Sequence, residues 1–436
     1  MSKVQEAISR FRAEVYQVFT KSRDAAFEII DGIASSPDAR SAVEVSLSGS
    51  MKRKWSSIYK GLERTRIETE ELSRVLIRTA EEAGKLVIAG YVIYSLDHTD
   101  YPRKSAPTVK DRGMVHGANG QGVGHQYSLL GRVMYEAGAW VGVTCCERIP
   151  TTQTPTEVGA AQVTWLKANQ TLPSIVTADC DYLTKTMLDT IDPQDKRLCL
   201  LVRMKGNRVL YRAPEPPKKG QRGRPKSHGQ RLKLNDPKTL GKADEVLTVL
   251  AEDGSWIEIA IWKNVHVRSH PKLHGSAIRV TAFRPDGQPK FKRPIWLFWT
   301  GSPDMDWATF WRVYLKRFCI ESVHQFSKNS LAWTRARLGH TPREETWSWL
   351  VMLAYWQLLL AAPIAQDAHR PWQKPMPKGR YPTPARVQRD YLRIFSLVGT
   401  PAQPPKPRGI PSGRKLGFRP APRNRHPVVI KSRSSA

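Results

Sequence analysis

Two apolar runs that each end in an aspartate constrain this chain most. Residues 86–97 read Leu-Val-Ile-Ala-Gly-Tyr-Val-Ile-Tyr-Ser-Leu-Asp, and residues 174–179 read Ser-Ile-Val-Thr-Ala-Asp. Continuous runs of this kind predict central strands covered on both faces. Asp97 and Asp179 then stand at C-terminal strand ends, where open α/β sheets display their chemistry. Residues 128–135 and 140–148 predict a hairpin turned by Glu136-Ala-Gly138, and residues 198–204 a further strand after the helical 182–188. The sum is an α/β chain: a mixed sheet with helices packed on it.

Five regions follow from composition and period. Residues 1–84 predict amphipathic helices, over 11–31 and 67–82 in particular. Their stretch 51–66 joins basic residues to Trp55 and Tyr59, which suits either a DNA-contacting helix or a solvated face. Residues 85–212 carry the first strands. Residues 213–300 begin as a basic loop rich in Pro and Gly over 213–242. They continue in alternating segments (245–250, 256–262, 277–283 and 295–300) that predict a β-rich insertion. Residues 301–378 are helical over 306–328 and 344–362. The apolar stretch 347–362 is short for a bilayer and ends at Pro363, so it reads as a buried helix. Residues 379–436 read as a basic, largely disordered tail.

Of the 436 residues, 69 are Lys or Arg and 39 are Asp or Glu, a formal charge of +30. Such a charge calls for a polyanion, and nucleic acid is the expected partner. The basic residues are spread along the chain and not gathered beside an apolar helix, so no membrane partner is expected. Five cysteines without a CxxC pair suit neither a disulfide framework nor a zinc finger. With no secretory signal at the N-terminus, a cytoplasmic location is expected.

Phosphodiester chemistry with two divalent ions needs carboxylates that hold them about 3.5 to 4 Å apart. All-oxygen ligands favour Mg2+, with Mn2+ able to substitute. The candidate third acid is Glu321. Tyr314, Arg317, Glu321 and Lys328 step by three, four and seven, so one helical face would carry an acid, a phenol and two cations. On period alone, each acid could equally be a cap or a charge partner.

The four residues reproduce the YREK signature, and the chain thereby resembles insertion-sequence DDE transposases of the insertion-sequence-four and insertion-sequence-701 types. Tyr94-Ser-Leu-Asp97-His-Thr99 resembles their first catalytic block, and Gly124-His-Gln-Tyr-Ser128 a block that follows it. Val176-Thr-Ala-Asp179-Cys-Asp-Tyr182 resembles the second block, which selects Asp179 over Asp181. His98 and Arg103 depart from the Asp and Lys common in the first block. The resemblance implies a ribonuclease-H-like core with a β-rich insertion before the Glu, and the roughly 140 residues between Asp179 and Glu321 suit one. It further implies that Asp97, Asp179 and Glu321 hold two metal ions, that Tyr314, Arg317 and Lys328 contact DNA phosphates, and that a homodimer pairs the transposon ends. The setting it implies is the bacterial nucleoid. Function is accordingly expected to be a transposase that binds the inverted repeats of its own element, cleaves its ends and transfers the strands. A non-catalytic DNA-binding regulator, an RNA-binding protein and a metal-dependent nuclease without strand transfer are the rivals.

Gln221-Arg-Gly-Arg-Pro-Lys226 resembles an AT-hook, which makes Arg222 and Arg224 candidate minor-groove contacts. His266, His270 and His274 repeat every four residues, but Pro271 interrupts the helix that zinc would need. The glycine-rich 117–124 lacks the Lys-Ser or Lys-Thr of a phosphate-binding loop and is expected to be a flexible loop. For Trp256, Trp262, Trp296 and Trp299, core packing is the default expectation.

Overall fold

The apolar run 86–97 does not form a single strand. Ala89 and Gly90 adopt positive φ (51° and 82°), so Ile88 and Tyr91 close a small turn and the strand begins at Val92. The computed structural model describes residues 2–117, 120–216, 226–251, 253–407 and 412–430. A short pair, β1 (Phe19–Lys21) and β2 (Arg66–Ile67), joins the N-terminal helices. The core strands are β3 (Val92–Pro102), β4 (Gly113–Gly117), β5 (Gly120–Val133), β6 (Val141–Ile149), β7 (Ser174–Ala178) and β8 (Leu198–Met204). They continue as β9 (Val209–Arg212), β10 (Arg231–Lys233), β11 (Glu245–Leu250), β12 (Trp256–His266), β13 (Gly275–Phe283) and β14 (Ile295–Trp299).

Among the described residues these twelve core strands form one sheet. Antiparallel β3, β5 and β6 lie beside β7 and β8, which run parallel to β3. The order β6-β5-β3-β7-β8 is consistent with a ribonuclease-H-like core. The alternating segments predicted as an insertion prolong the same sheet, because β14 pairs antiparallel with β8 and β13, β12 and β9 follow outward. Within this extension Trp262, Trp296 and Trp299 are buried, and Trp256 stacks on Phe283. The basic stretch 213–242 is not all loop, since it contains β10 and the helical turn Pro237–Leu240. Of the glycine-rich stretch expected to be a flexible loop, Gly117 ends β4 and residues 120–124 begin β5, where glycine lets β5 approach β3 closely: a Cβ at Gly124 would fall 2.2 Å from the Tyr101 carbonyl.

Side-chain alternation divides the sheet between two cores. Val92, Tyr94 and Leu96 of β3, with Val176 of β7, face the cluster that holds Val163 and Leu166 of the helix Pro155–Asn169. Ile93 and Ile175 face the opposite cluster, which is built on the helix Thr341–Ala361. That helix is long and apolar enough to cross a membrane by length and composition, yet 89% of its most apolar window is buried in this fold. The N-terminal helices Lys3–Val18 and Arg23–Ala34 share its cluster. So does the helix Pro384–Val398, which breaks the expectation of a disordered tail. Val387, Tyr391 and Ile394 recur on one helical face among charges and are fully buried. The buried Arg12–Asp31 pair (2.7 Å) fixes this junction, with Gln357 and Tyr391 completing its hydrogen bonds.

One small residue is required where β5 meets β6. A Cβ on Gly131 would lie 2.6 Å from Val141 Cγ1 and 2.9 Å from the Gly142 carbonyl oxygen. Gly131→Ala is therefore expected to cost about 1–3 kcal/mol in a urea titration. An unchanged midpoint would contradict this packing.

Candidate active site

The parallel register between β3 and β7 brings the two aspartates together. Ser95 pairs with Thr177, and Asp97 and Asp179 each lie two residues further on, so both emerge on the same face at the same end. Asp97 ends the parallel ladder only, since it still pairs with Leu129 on the antiparallel side. Each aspartate uses one oxygen locally. Asp97 Oδ1 accepts from the His98 N–H (2.9 Å), and Asp179 Oδ1 accepts from the Cys180 N–H (2.6 Å) as it caps a short 3-10 turn.

The segment opposite is less regular than its period predicts. Residues 306–328 break into the helical turns Trp307–Phe310 and Arg312–Leu315, the 3-10 turn Lys316–Phe318 and the helix Cys319–Ser330. Ser95 Oγ donates to the Lys316 carbonyl (3.3 Å), which seats that turn over the strand ends. Tyr314, Arg317, Glu321 and Lys328 therefore do not share one continuous α-helical face. Tyr314 is only 1% exposed and packs beside Phe318 and the Arg317 guanidinium. Arg317 Nη2 donates to Glu321 Oε1 (2.7 Å), and Nη1 lies 3.7 Å from Asp97 Oδ2. Lys328 Nζ donates to Thr99 Oγ1 at 2.6 Å.

Arg317 thus stands at the electrostatic centre of the three acids, with Asp97, Asp179 and Glu321 all acting on its charge. Burial pushes the Asp97 carboxyl up to about 6 although Arg317 and His98 pull the other way. His324 belongs to no motif in the sequence, although it lies three residues after Glu321 and so on the same side of the helix. Its Nδ1 is 3.9 Å from Asp97 Oδ2, and burial, with Lys328 beside it, pushes the imidazole down to about 3, so it is neutral. Tyr182, which closes the second block in the sequence, also reaches this cluster: its hydroxyl lies 3.3 Å from His98 Nδ1.

The donor set suits a hard divalent cation: three carboxylates, two with an oxygen not used by the local N–H, and one of them costly to keep ionised without a cation beside it. Among the described residues no three His, Cys, Asp or Glu side chains are close enough to hold an ion as they stand. Arg317 lies between Asp97 and Glu321. Of the histidine series, His266 and His274 lie ring to ring (5.5 Å between centroids) with His228 Nδ1 2.9 Å from His266 Nε2, while His270 turns away to bond Asp189 (2.8 Å). Arg222 and Arg224 lie outside the described residues.

Residues 144–266 match the family model described as DDE superfamily endonuclease. The matched segment runs from β6 to β12 and includes Asp179, with Asp97 before it and Glu321 after it. No curated protein matches the chain. Among solved structures, the cryo-EM structure of a piggyBac transposase synaptic complex with hairpin DNA is similar at 10% identity and a TM-score of 0.42, over 91% of this chain and 78% of that one.

Proposed function

We propose that the chain is a DNA transposase: it binds the terminal inverted repeats of its own insertion sequence, cleaves the ends and transfers them to target DNA. The observation that carries this reading is the meeting of Asp97 and Asp179, at parallel strand ends, with Glu321 across Arg317. The endonuclease-like segment 144–266 supports it.

Asp97, Asp179 and Glu321 would hold two Mg2+ ions, or Mn2+ in their place, which supply activation of the attacking oxygen and stabilisation of the leaving one. Arg317 leaves Glu321 for a phosphate when the carboxylates are taken, and its planar fork suits that partner. Tyr314 is buried and acts on DNA through Arg317, which it props. Lys328 places a second cation beside Thr99 for the DNA backbone, and Arg222 and Arg224 supply minor-groove contacts. In the first step a water oxygen attacks phosphorus at the transposon end and the bond to the 3′ oxygen breaks, leaving a 3′ hydroxyl. In the second, that hydroxyl attacks a target phosphodiester and displaces the target's 3′ oxygen. A homodimer pairs the two ends, in the bacterial cytoplasm at the nucleoid.

Strand transfer from precleaved, labelled ends into plasmid DNA with Mg2+ tests this function. Joined product is expected. Cleavage of uncut ends without any joining would make the protein a nuclease, and DNA binding without either step a regulator. Arg317→Ala should weaken end binding and slow cleavage by roughly 10²-fold or more, and unchanged values for both would reject its role.

A further inference from the structure

Two clefts lie side by side away from the carboxylates. Lys21, Lys60, Arg64 and Arg66 line the first, a space of about 490 Å³. The second, of about 600 Å³, takes Arg66 again and adds Lys110, His340, Arg343 and Arg423. Glu63 is shared by both and is the one carboxylate among the described lining residues. It is already paired with Arg343 at 2.9 Å. Lys60, Arg64, Lys110 and Arg423 are exposed and make no ion pair among the described residues. The His340 imidazole is held below its ordinary value, by burial first and then by Arg343 and Arg423.

The groove is assembled from four distant parts of the chain. The helix Trp55–Arg64 supplies one wall. The loop after β3 and the start of the helix Thr341–Ala361 supply the floor, locked by Thr108 Oγ1 donating to the Gly339 carbonyl (3.0 Å) and Thr341 Oγ1 to the Lys110 carbonyl (3.1 Å). The C-terminal segment closes it. The His426 N–H donates to the Pro107 carbonyl (2.8 Å), Arg112 Nη2 donates to the His426 carbonyl (3.0 Å), and the Val429 N–H donates to the Arg112 carbonyl (2.7 Å). This stretch therefore returns along the edge of the core and brings Arg423 into the cleft that Arg66 also lines.

We propose that the joined clefts are a track for the sugar-phosphate backbone of duplex DNA, completed by the folded-back C-terminal segment. The proposal rests on the transposase reading for its partner but not on the catalytic carboxylates. Unpaired cations lining one groove, with its lone acid neutralised, fit a polyanion that releases its counterions on binding. From Asp97 to its end at Pro102, β3 spans roughly 17 Å, and the loop after it carries Thr108 and Lys110 of the groove, so one duplex could reach both the groove and the acids.

Binding of a labelled duplex by the full chain, followed by fluorescence anisotropy over a range of salt concentrations, tests the track. The triple variant Lys60→Ala, Arg64→Ala, Arg423→Ala should bind at least about tenfold more weakly than the wild type, with a log–log salt slope flatter by roughly 2.7, about 0.9 for each phosphate no longer neutralised. A second triple variant, Lys238→Ala, Lys242→Ala, Lys272→Ala, removes equal charge from exposed positions on the sheet extension and should stay within about twofold of wild type. A wild-type slope in the first variant, or an equal loss in the second, overturns the track and leaves the transposase reading standing. Absence of duplex binding by the wild type overturns both.

Discussion

Asp97→Asn is expected to reduce metal-dependent DNA cleavage by at least ~10³-fold, about 4 kcal/mol of barrier, while the protein stays as stable as the wild type or becomes more so at neutral pH. The two effects separate because the aspartate is placed for charge and not for folding. Asn retains the acceptor for the His98 N–H and nearly the same volume. What it removes is an ionised oxygen whose charge burial disfavours, with the Arg317 contact at 3.7 Å too long for a strong hydrogen bond. Thermal melting beside a single-turnover cleavage assay measures both quantities. A marked loss of stability would make Asp97 a structural partner of Arg317, and full cleavage would remove it from the site.

Glu344→Ala should show the opposite division, costing about 3–5 kcal/mol of stability, because it leaves buried cationic and polar groups unpaired. Glu344 is fully buried at the start of the helix Thr341–Ala361. Its Oε2 accepts from Arg103 Nε (2.8 Å), and its Oε1 lies 2.6 Å from His125 Nδ1 and accepts from the Tyr127 hydroxyl at 3.3 Å. Arg103 in turn donates to Tyr101 and to the Thr334 carbonyl, so one carboxylate ties β3 and β5 to the core helix. Burial works to raise the Glu344 carboxyl, but His125 and Arg103 outweigh it and hold it below the ordinary glutamate value. With a folded-state value below the unfolded one, its contribution is complete above the ordinary glutamate range and is lost as pH falls through the folded value. Urea titrations at pH 7 and pH 4 should therefore show the variant and wild type drawing closer in acid. A cost under about 1 kcal/mol at pH 7 would contradict this account.

The same residues show what a sequence can and cannot disclose. Asp97 and Asp179 are legible because a buried strand must be apolar, so a carboxylate at its end stands out. Where the strand begins is not: 86–91 is as apolar as 92–96, and only the positive φ values of Ala89 and Gly90 turn it aside. Glu321 and Lys328 are legible from spacing, but spacing assumes one continuous helix. The 3-10 turn at Lys316–Phe318, seated by Ser95, instead buries Tyr314 and aims Arg317 at the acids. Arg103 looks like a departure from a motif until Glu344, 241 residues away, proves to be its partner. His324 meets the site through a contact of long sequence separation with Asp97, which no local pattern encodes. The helix Pro384–Val398 is hidden by charge, since its apolar stripe is narrow within a strongly basic segment.

Whether the three acids hold metal together is tested most directly by cysteine substitution. Cleavage of a labelled transposon end is measured for Asp97→Cys, Asp179→Cys and Glu321→Cys in Mg2+ and again in Mn2+, which accepts a thiolate more readily. Every variant is expected to lose cleavage in Mg2+ and to regain part of it in Mn2+. Near-wild-type cleavage in Mg2+ by any one of the three would contradict it.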